Sequence, residues 1–260
     1  MDEYKKAIGK GEEGLSALIT QYQTPDTFSL THNLPNETLL LTEKTTVTLS
    51  NIEMSSQLFF VLLEKTKVTI GEKVSITEYA ENEYCIREHG ISRLALGNIE
   101  RILPNSIGCS LKWVRLYNTG LINILPKLRI NEDCKVEWFV LSATEKEHIA
   151  GILSQDQPIC VGSVENMNLE NHAVSILPKL RNHKDHEIGL LRLAADRKEY
   201  VDGILAQEEM FCVGRVKNAL FEGYAVSFVL KMNHEDSEVE TKKNTLLQSS
   251  HKNNRSVLGG

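Results

Sequence analysis

The sequence predicts an α+β, strand-rich chain of tandem repeats about fifty residues long, each unit one short helix followed by three strands. Three observations carry that expectation. The hexapeptide Ile124-Leu125-Pro126-Lys127-Leu128-Arg129 returns as Ile176-Leu177-Pro178-Lys179-Leu180-Arg181. At the same offset Lys146-Glu147 returns as Lys198-Glu199, and Gly151-Ile152-Leu153 as Gly203-Ile204-Leu205, so that about 14 of the 30 positions from 124 to 153 match 176 to 205 without a gap. Further on, Cys160-Val161-Gly162 matches Cys212-Val213-Gly214 and Ala173-Val174-Ser175 matches Ala225-Val226-Ser227, with Cys109 one residue off the register.

Taken in order, the units fall at 1–51, 52–92, 93–143, 144–195 and 196–232. The first is a helix from Glu12 to Tyr22, with Leu15, Leu18, Ile19 and Tyr22 on one face, then strands to about residue 50. In the second, Met54 to Lys65 fits helix or strand, and 66–71, 74–80 and 83–89 read as strands. The third has a short helix from Asn98 to Leu103 and three strand-like runs. The fourth opens at Thr144, with Glu147 three residues on as a capping box, and turns Ile149, Ile152 and Leu153 to one side. Its strands are 158–165, 172–180 and 187–193. The fifth uses Asp196 as N-cap, shows Val201, Ile204 and Leu205 on one face, and has only two strands. Gly151 and Gly203 share one unit position, which suggests close packing against a neighbouring strand.

A fifty-residue unit cannot bury its own apolar face, so units must stack on each other. A last unit short of one strand fits either an open stacked array with capped ends or a closed ring. After Met232 the chain turns to His, Glu, Asp, Lys, Asn, Ser and Thr, and 233–260 reads as a disordered polar tail.

Composition narrows the function classes. With 41% apolar and 25% charged residues the chain is ordinary for a soluble protein, and a net charge of −6 offers nucleic acid no general attraction. No apolar run reaches the roughly 18–20 residues that cross a bilayer. The start, Met1-Asp2-Glu3-Tyr4-Lys5-Lys6, leads into polar sequence where a signal peptide needs an apolar stretch, so no membrane partner and a cytoplasmic location are expected.

Candidate chemistry is sparse. Cys109, Cys160 and Cys212 recur at one unit position, which suits a small buried hydrophobe better than a catalytic residue, while Cys85 and Cys134 lie outside the register. His183 and His186 form the densest set of potential metal ligands. They sit in an inter-strand loop with Lys184, whose charge opposes a cation, so no cofactor is expected. Gly9-Lys10-Gly11-Glu12-Glu13-Gly14 lacks the spacing of a phosphate loop. Lys127, Lys179 and Lys231 recur at one strand position; they either protect sheet edges or form a row that meets an acidic partner. Gly259-Gly260 ends the sequence as ubiquitin-like modifiers end, yet the repeat body does not read as such a domain.

Strand-rich units with one helix each, four and a half to five in number, are similar to five-fold α/β propellers. That class includes ribosome-binding factors and guanidine-modifying enzymes. The resemblance implies a ring architecture and assigns no catalytic residue to this chain. The expected function is a non-enzymatic scaffold or adaptor that meets a protein partner. The alternatives are an enzyme with its pocket on the pseudo-symmetry axis or between units, and a nucleic-acid- or ribosome-associated binding factor. An enzyme should gather its unit-specific groups, Cys85, His89, Cys134, His183 and His186, in one pocket; a scaffold should scatter them.

Overall fold

The structure is a computed structural model that describes residues 25–32, 39–77, 91–131, 133–182, 186–207, 210–211, 213–232 and 240–241. It is an α+β chain with many strands in parallel sheets and few helices. Every strand pairing among the described residues is parallel. Parallel neighbours cannot be joined by a tight turn, so each pair needs a crossover.

One sheet orders β1 (Thr27–Leu30), β2 (Thr46–Leu49) and β4 (Lys67–Ile70). A second orders β3 (Ile52–Ser55), β5 (Val74–Thr77), β6 (Ile107–Ser110) and β8 (Leu128–Ile130). A small one pairs β10 (Ile159–Cys160) with β12 (Leu180–Arg181). The largest contains β7 (Trp113–Tyr117), β9 (Lys135–Ala143), β11 (Ser163–Asn171), β13 (Ile188–Ala195), β14 (Val216–Gly223) and β15 (Glu240–Thr241), side by side in chain order. No described sheet closes on itself. A propeller would keep each unit's strands in its own blade. Here strands from three of the expected units enter one sheet, which corrects the ring expectation.

Two helices serve the N-terminal crossovers. In α1 (Ser56–Lys65), the Ser55 hydroxyl accepts from the Leu58 N–H, and Phe59, Leu62 and Leu63 face the core. Of the ambiguous segment 54–65, Met54 and Ser55 thus end β3 and the rest is helix. In α2 (Arg93–Arg101), Ser92 caps by accepting from the Ala95 N–H. On its inner face sits Asn98, with no solvent exposure. Its Nδ2 donates to the Leu63 and Thr66 carbonyls at 2.8 and 2.7 Å, and its Oδ1 accepts from the Val68 N–H at 2.9 Å and from Arg101 Nη2 at 2.6 Å. One side chain thus closes the C-terminal end of α1 and bonds the edge of β4.

The later crossovers are 3₁₀ turns: η1 (Gly120–Lys127), η2 (Lys146–Ile149) running into α3 (Ala150–Leu153), η3 (His172–Lys179), η4 (Lys198–Tyr200) followed by α4 (Asp202–Leu205), and η5 (Tyr224–Leu230). The expected strand 172–180 is therefore mostly 3₁₀ helix. Ala173, Val174, Ile176 and Leu177 are buried because residues three apart eclipse in this helix. The resulting apolar pairs, side by side in sequence, mimic a strand-length run. Both hexapeptide copies begin in such a turn and run straight into a short strand, β8 or β12.

Helices near 144 and 196 exist, but their expected caps do not. Glu145 and Arg197 stand at the N-cap positions without a side-chain bond, and the Thr144 N–H donates to Asn118 Oδ1 at 3.1 Å. Gly151 packs closely, though against η1 instead of a strand: a Cβ there would lie 2.9 Å from Asn123 Oδ1. Gly203 faces open space. In the recurring Cys-Val-Gly triplet the glycine does the turning. Gly162, at φ +73°, links β10 to β11, and Gly214, at φ +87°, precedes β14. Cys109 is buried in β6 and Cys160 half-buried in β10; Cys85 and Cys212 lie outside the described residues.

The expected first helix, the 83–89 strand and most of 233–260 also lie outside them, but Glu240–Thr241 pairs with Asn218–Ala219 within the expected tail. Among the described residues no helix is long and apolar enough to cross a membrane.

Candidate interaction surface

Alternation along β7 and the outward turn of Trp138 in β9 build a distinctive surface, beside which β9 is buried on both faces from Phe139 on, with Val140 at 4% and Ser142 at 5% exposure. In Trp113-Val114-Arg115-Leu116-Tyr117, Val114 and Leu116 are buried, which leaves Trp113, Arg115 and Tyr117 on the opposite face. In β9 the N–H groups of Glu137 and Trp138 both donate to the Lys112 carbonyl, at 2.7 and 3.3 Å. This bulge lets Val136 and Phe139 both reach the core while Trp138 turns outward, 39% exposed. Trp113 and Trp138 are register partners. The Arg115 guanidinium carbon lies 6.0 Å from each indole centroid, within cation–π reach of both. Trp113 Nε1 donates to Glu137 Oε2 at 3.1 Å. Arg115 Nε is buried and makes no hydrogen bond.

Asparagines hold this face in register. Asn166 Nδ2 donates to the Glu137 carbonyl at 2.9 Å, and Asn218 Nδ2 to the Gly189 carbonyl at 3.1 Å. Further along, Arg192 binds Glu222 through Nε and Nη2 at 3.0 and 2.9 Å, and Glu170 through Nη1 at 3.2 Å. The fork-shaped bond to Arg192 holds the Glu222 carboxyl below its usual range and raises the arginine. At the start of β9 and β11 a shallow pocket of about 340 Å³ is lined by Lys135, Glu137, Ser163, Glu165, His186 and Glu187 among others.

The lysine row has an internal place. Lys179 Nζ donates to the Gln155 carbonyl at 2.6 Å, just after α3, and Lys231 Nζ donates to the Gln207 carbonyl, just after α4. Each cation closes the end of a short helix. Burial holds Lys127 below its usual value, against the opposing pull of Glu100. Lys179 and Lys231 thus share one internal bond at their matching positions.

His186 is exposed and lines the pocket, while His183 lies outside the described residues. Cys134 directs its thiol to the Leu111 carbonyl at 3.8 Å. His89 and Gly259-Gly260 also lie outside the described residues. Among the described residues no three His, Cys, Asp or Glu side chains are placed to hold a metal ion. Away from the open sheet, at the crossovers, the His172 ring meets Tyr200 edge-on at 4.4 Å. Burial, first of all, keeps that imidazole below its usual value; Lys146 and His148 add to the effect and Glu199 opposes it.

Sequence reasoning missed Trp113, Arg115, Trp138 and Arg192. A signal was present: the chain has two tryptophans, one of them in a clean alternation with valine, arginine and leucine. It could not show that the two stand on adjacent strands. No family model, curated protein or solved structure matches this chain.

Proposed function

We propose that the chain is a non-enzymatic interaction scaffold of tandem repeats whose partner, a protein, docks on the open face of the six-stranded sheet. Paired geometry at the sequence offset supports the repeat. Asn171 and Gly223 end β11 and β14 with nearly the same backbone angles, φ 59° ψ −130° and φ 61° ψ −134°. Lys179 bonds Gln155 as Lys231 bonds Gln207, and Asn166 bonds Glu137 as Asn218 bonds Gly189. On this reading the fifty-residue unit spans two successive strands of the large sheet, each followed by its own helical crossover.

The observation that carries the function is the gathering of both tryptophans around Arg115 on a partly exposed sheet face, with Trp138 39% exposed and Trp113 and Arg115 half-buried. Trp, Tyr and Arg are the residues enriched at the energetic centres of protein interfaces. An enzyme finds less support, since Cys134 bonds a backbone carbonyl while His186 lies at the rim of a shallow pocket. A nucleic-acid surface finds less still, because the open face carries Glu137, Glu170 and Glu222 and two of the recurring lysines bond carbonyls. The test compares partner capture by the wild-type chain and by a W113A/W138A variant shown to be folded by circular dichroism. Loss of capture supports the reading; undiminished capture removes it.

A further inference from the structure

Arg115 and Arg192 occupy one row of the same sheet face. Pairing runs Arg115 to Val140, Val140 to Asn168, Asn168 to Arg192 and Arg192 to Leu220. The next row runs Tyr117, Ser142, Glu170, Ala194, Glu222. Arg192 is satisfied from that second row by carboxylates on both neighbouring strands. For Arg115 the equivalent of Glu222 is Ser142, on the strand that follows in the sheet, and Ser142 brings no charge. Among the described residues β7 is the edge strand of this sheet, and no second neighbour there supplies one. The molecule thus displays the same cation twice, once with its anions and once with two indole walls and a buried, unbonded Nε.

We propose that Arg115, walled by Trp113 and Trp138, receives the carboxylate side chain of an extended acidic peptide segment in the partner. This rests on the open-face reading above and names the chemistry that the face selects. The indoles suit apolar residues beside the acidic one, and their bulk excludes water from the charge pair, which strengthens it. A phosphate dianion fits less well because Glu137 stands beside Trp113 and would repel the second charge.

Both tryptophans of the chain lie at this site, so tryptophan emission, excited selectively over the seven tyrosines, reports on it. The probes are a capped heptapeptide with a central glutamate between two leucines, its glutamine twin, and inorganic phosphate. The expected result is a saturable emission change with the glutamate peptide and binding at least tenfold weaker with the glutamine peptide. R115Q should lose at least tenfold in affinity for the glutamate peptide. S142E places a carboxylate at the position from which Glu222 serves Arg192 and should lose as much, with circular dichroism showing the fold retained at this buried residue; K179M, at the crossovers, should bind like wild type. Equal binding of the two peptides, retention by R115Q, tighter binding of phosphate, or no saturable change with the glutamate peptide would each overturn the proposal. If both peptides bind equally and W138A abolishes both, the carboxylate inference fails while the open-face reading stands. Partner capture that survives W113A/W138A removes the open-face reading itself.

Discussion

Replacing Asn98 with leucine, similar in branching but bulkier, removes every polar contact of a side chain that has no exposure to solvent. Three backbone groups lose their bond from it: the Leu63 and Thr66 carbonyls and the Val68 N–H. The Lys67 N–H, which a longer helix would offer to Leu63, donates instead to the Thr45 carbonyl. A buried backbone group left unsatisfied costs about 1–3 kcal/mol, so three of them, with some relaxation, amount to about 3–6 kcal/mol. That is a large share of the 5–15 kcal/mol typical of a folded domain. With a slope of about 3 kcal/mol per molar urea, the unfolding midpoint should fall by about 1–2 M. Asn98→Asp should not rescue it, because a carboxylate would then face two carbonyls. The assay is urea unfolding followed by far-ultraviolet circular dichroism. A loss below about 1 kcal/mol for N98L would refute the role given to this side chain.

Two glycines in matching sequence segments should respond oppositely: Gly151→Ala should destabilise, since its Cβ meets Asn123, whereas Gly203→Ala should stabilise by up to about 1 kcal/mol, both read by thermal unfolding. Lys179→Met should lower stability by about 1–2 kcal/mol by uncapping Gln155, yet leave partner affinity unchanged; weakened binding with intact stability would restore the lysine row as a contact surface. His172 is harder to protonate when folded, so its contribution is complete above about pH 6.5 and declines as pH falls through that value. Urea midpoints from pH 8 to 5 should therefore fall less steeply in His172→Phe than in wild type, and parallel slopes would contradict this. Glu222 behaves as a lowered carboxyl: its bond with Arg192 contributes at neutral pH and is lost as pH drops through the depressed value. Because both groups are partly exposed, Arg192→Gln should cost only about 1 kcal/mol at pH 7 and less still at pH 3.

The helix at 146–153 and the strand over 187–193 were legible because their apolar residues follow a single period. The lysines and the Cys-Val-Gly triplet were legible as a recurrence, but not as helix ends and left-handed turns, since those roles depend on partners far along the chain. The 3₁₀ segments were the principal misreading. Ile124-Leu125 and Ile176-Leu177 precede a proline and mix helical burial with β-branched residues, so local preference points to strand while packing decides otherwise. The site stayed hidden for a different reason. Trp113, Arg115 and Trp138 meet only once a bulge at Glu137 turns Trp138 outward and parallel pairing brings β7 beside β9.

Site-specific photocrosslinking tests the open sheet face most directly. A crosslinker placed at Leu190 or Leu220, on the open face, should form a covalent adduct with the partner, and one at His148 or Ala206, at the crossovers, should not. Adducts formed only from the crossover positions, or equally from all four, would contradict the account.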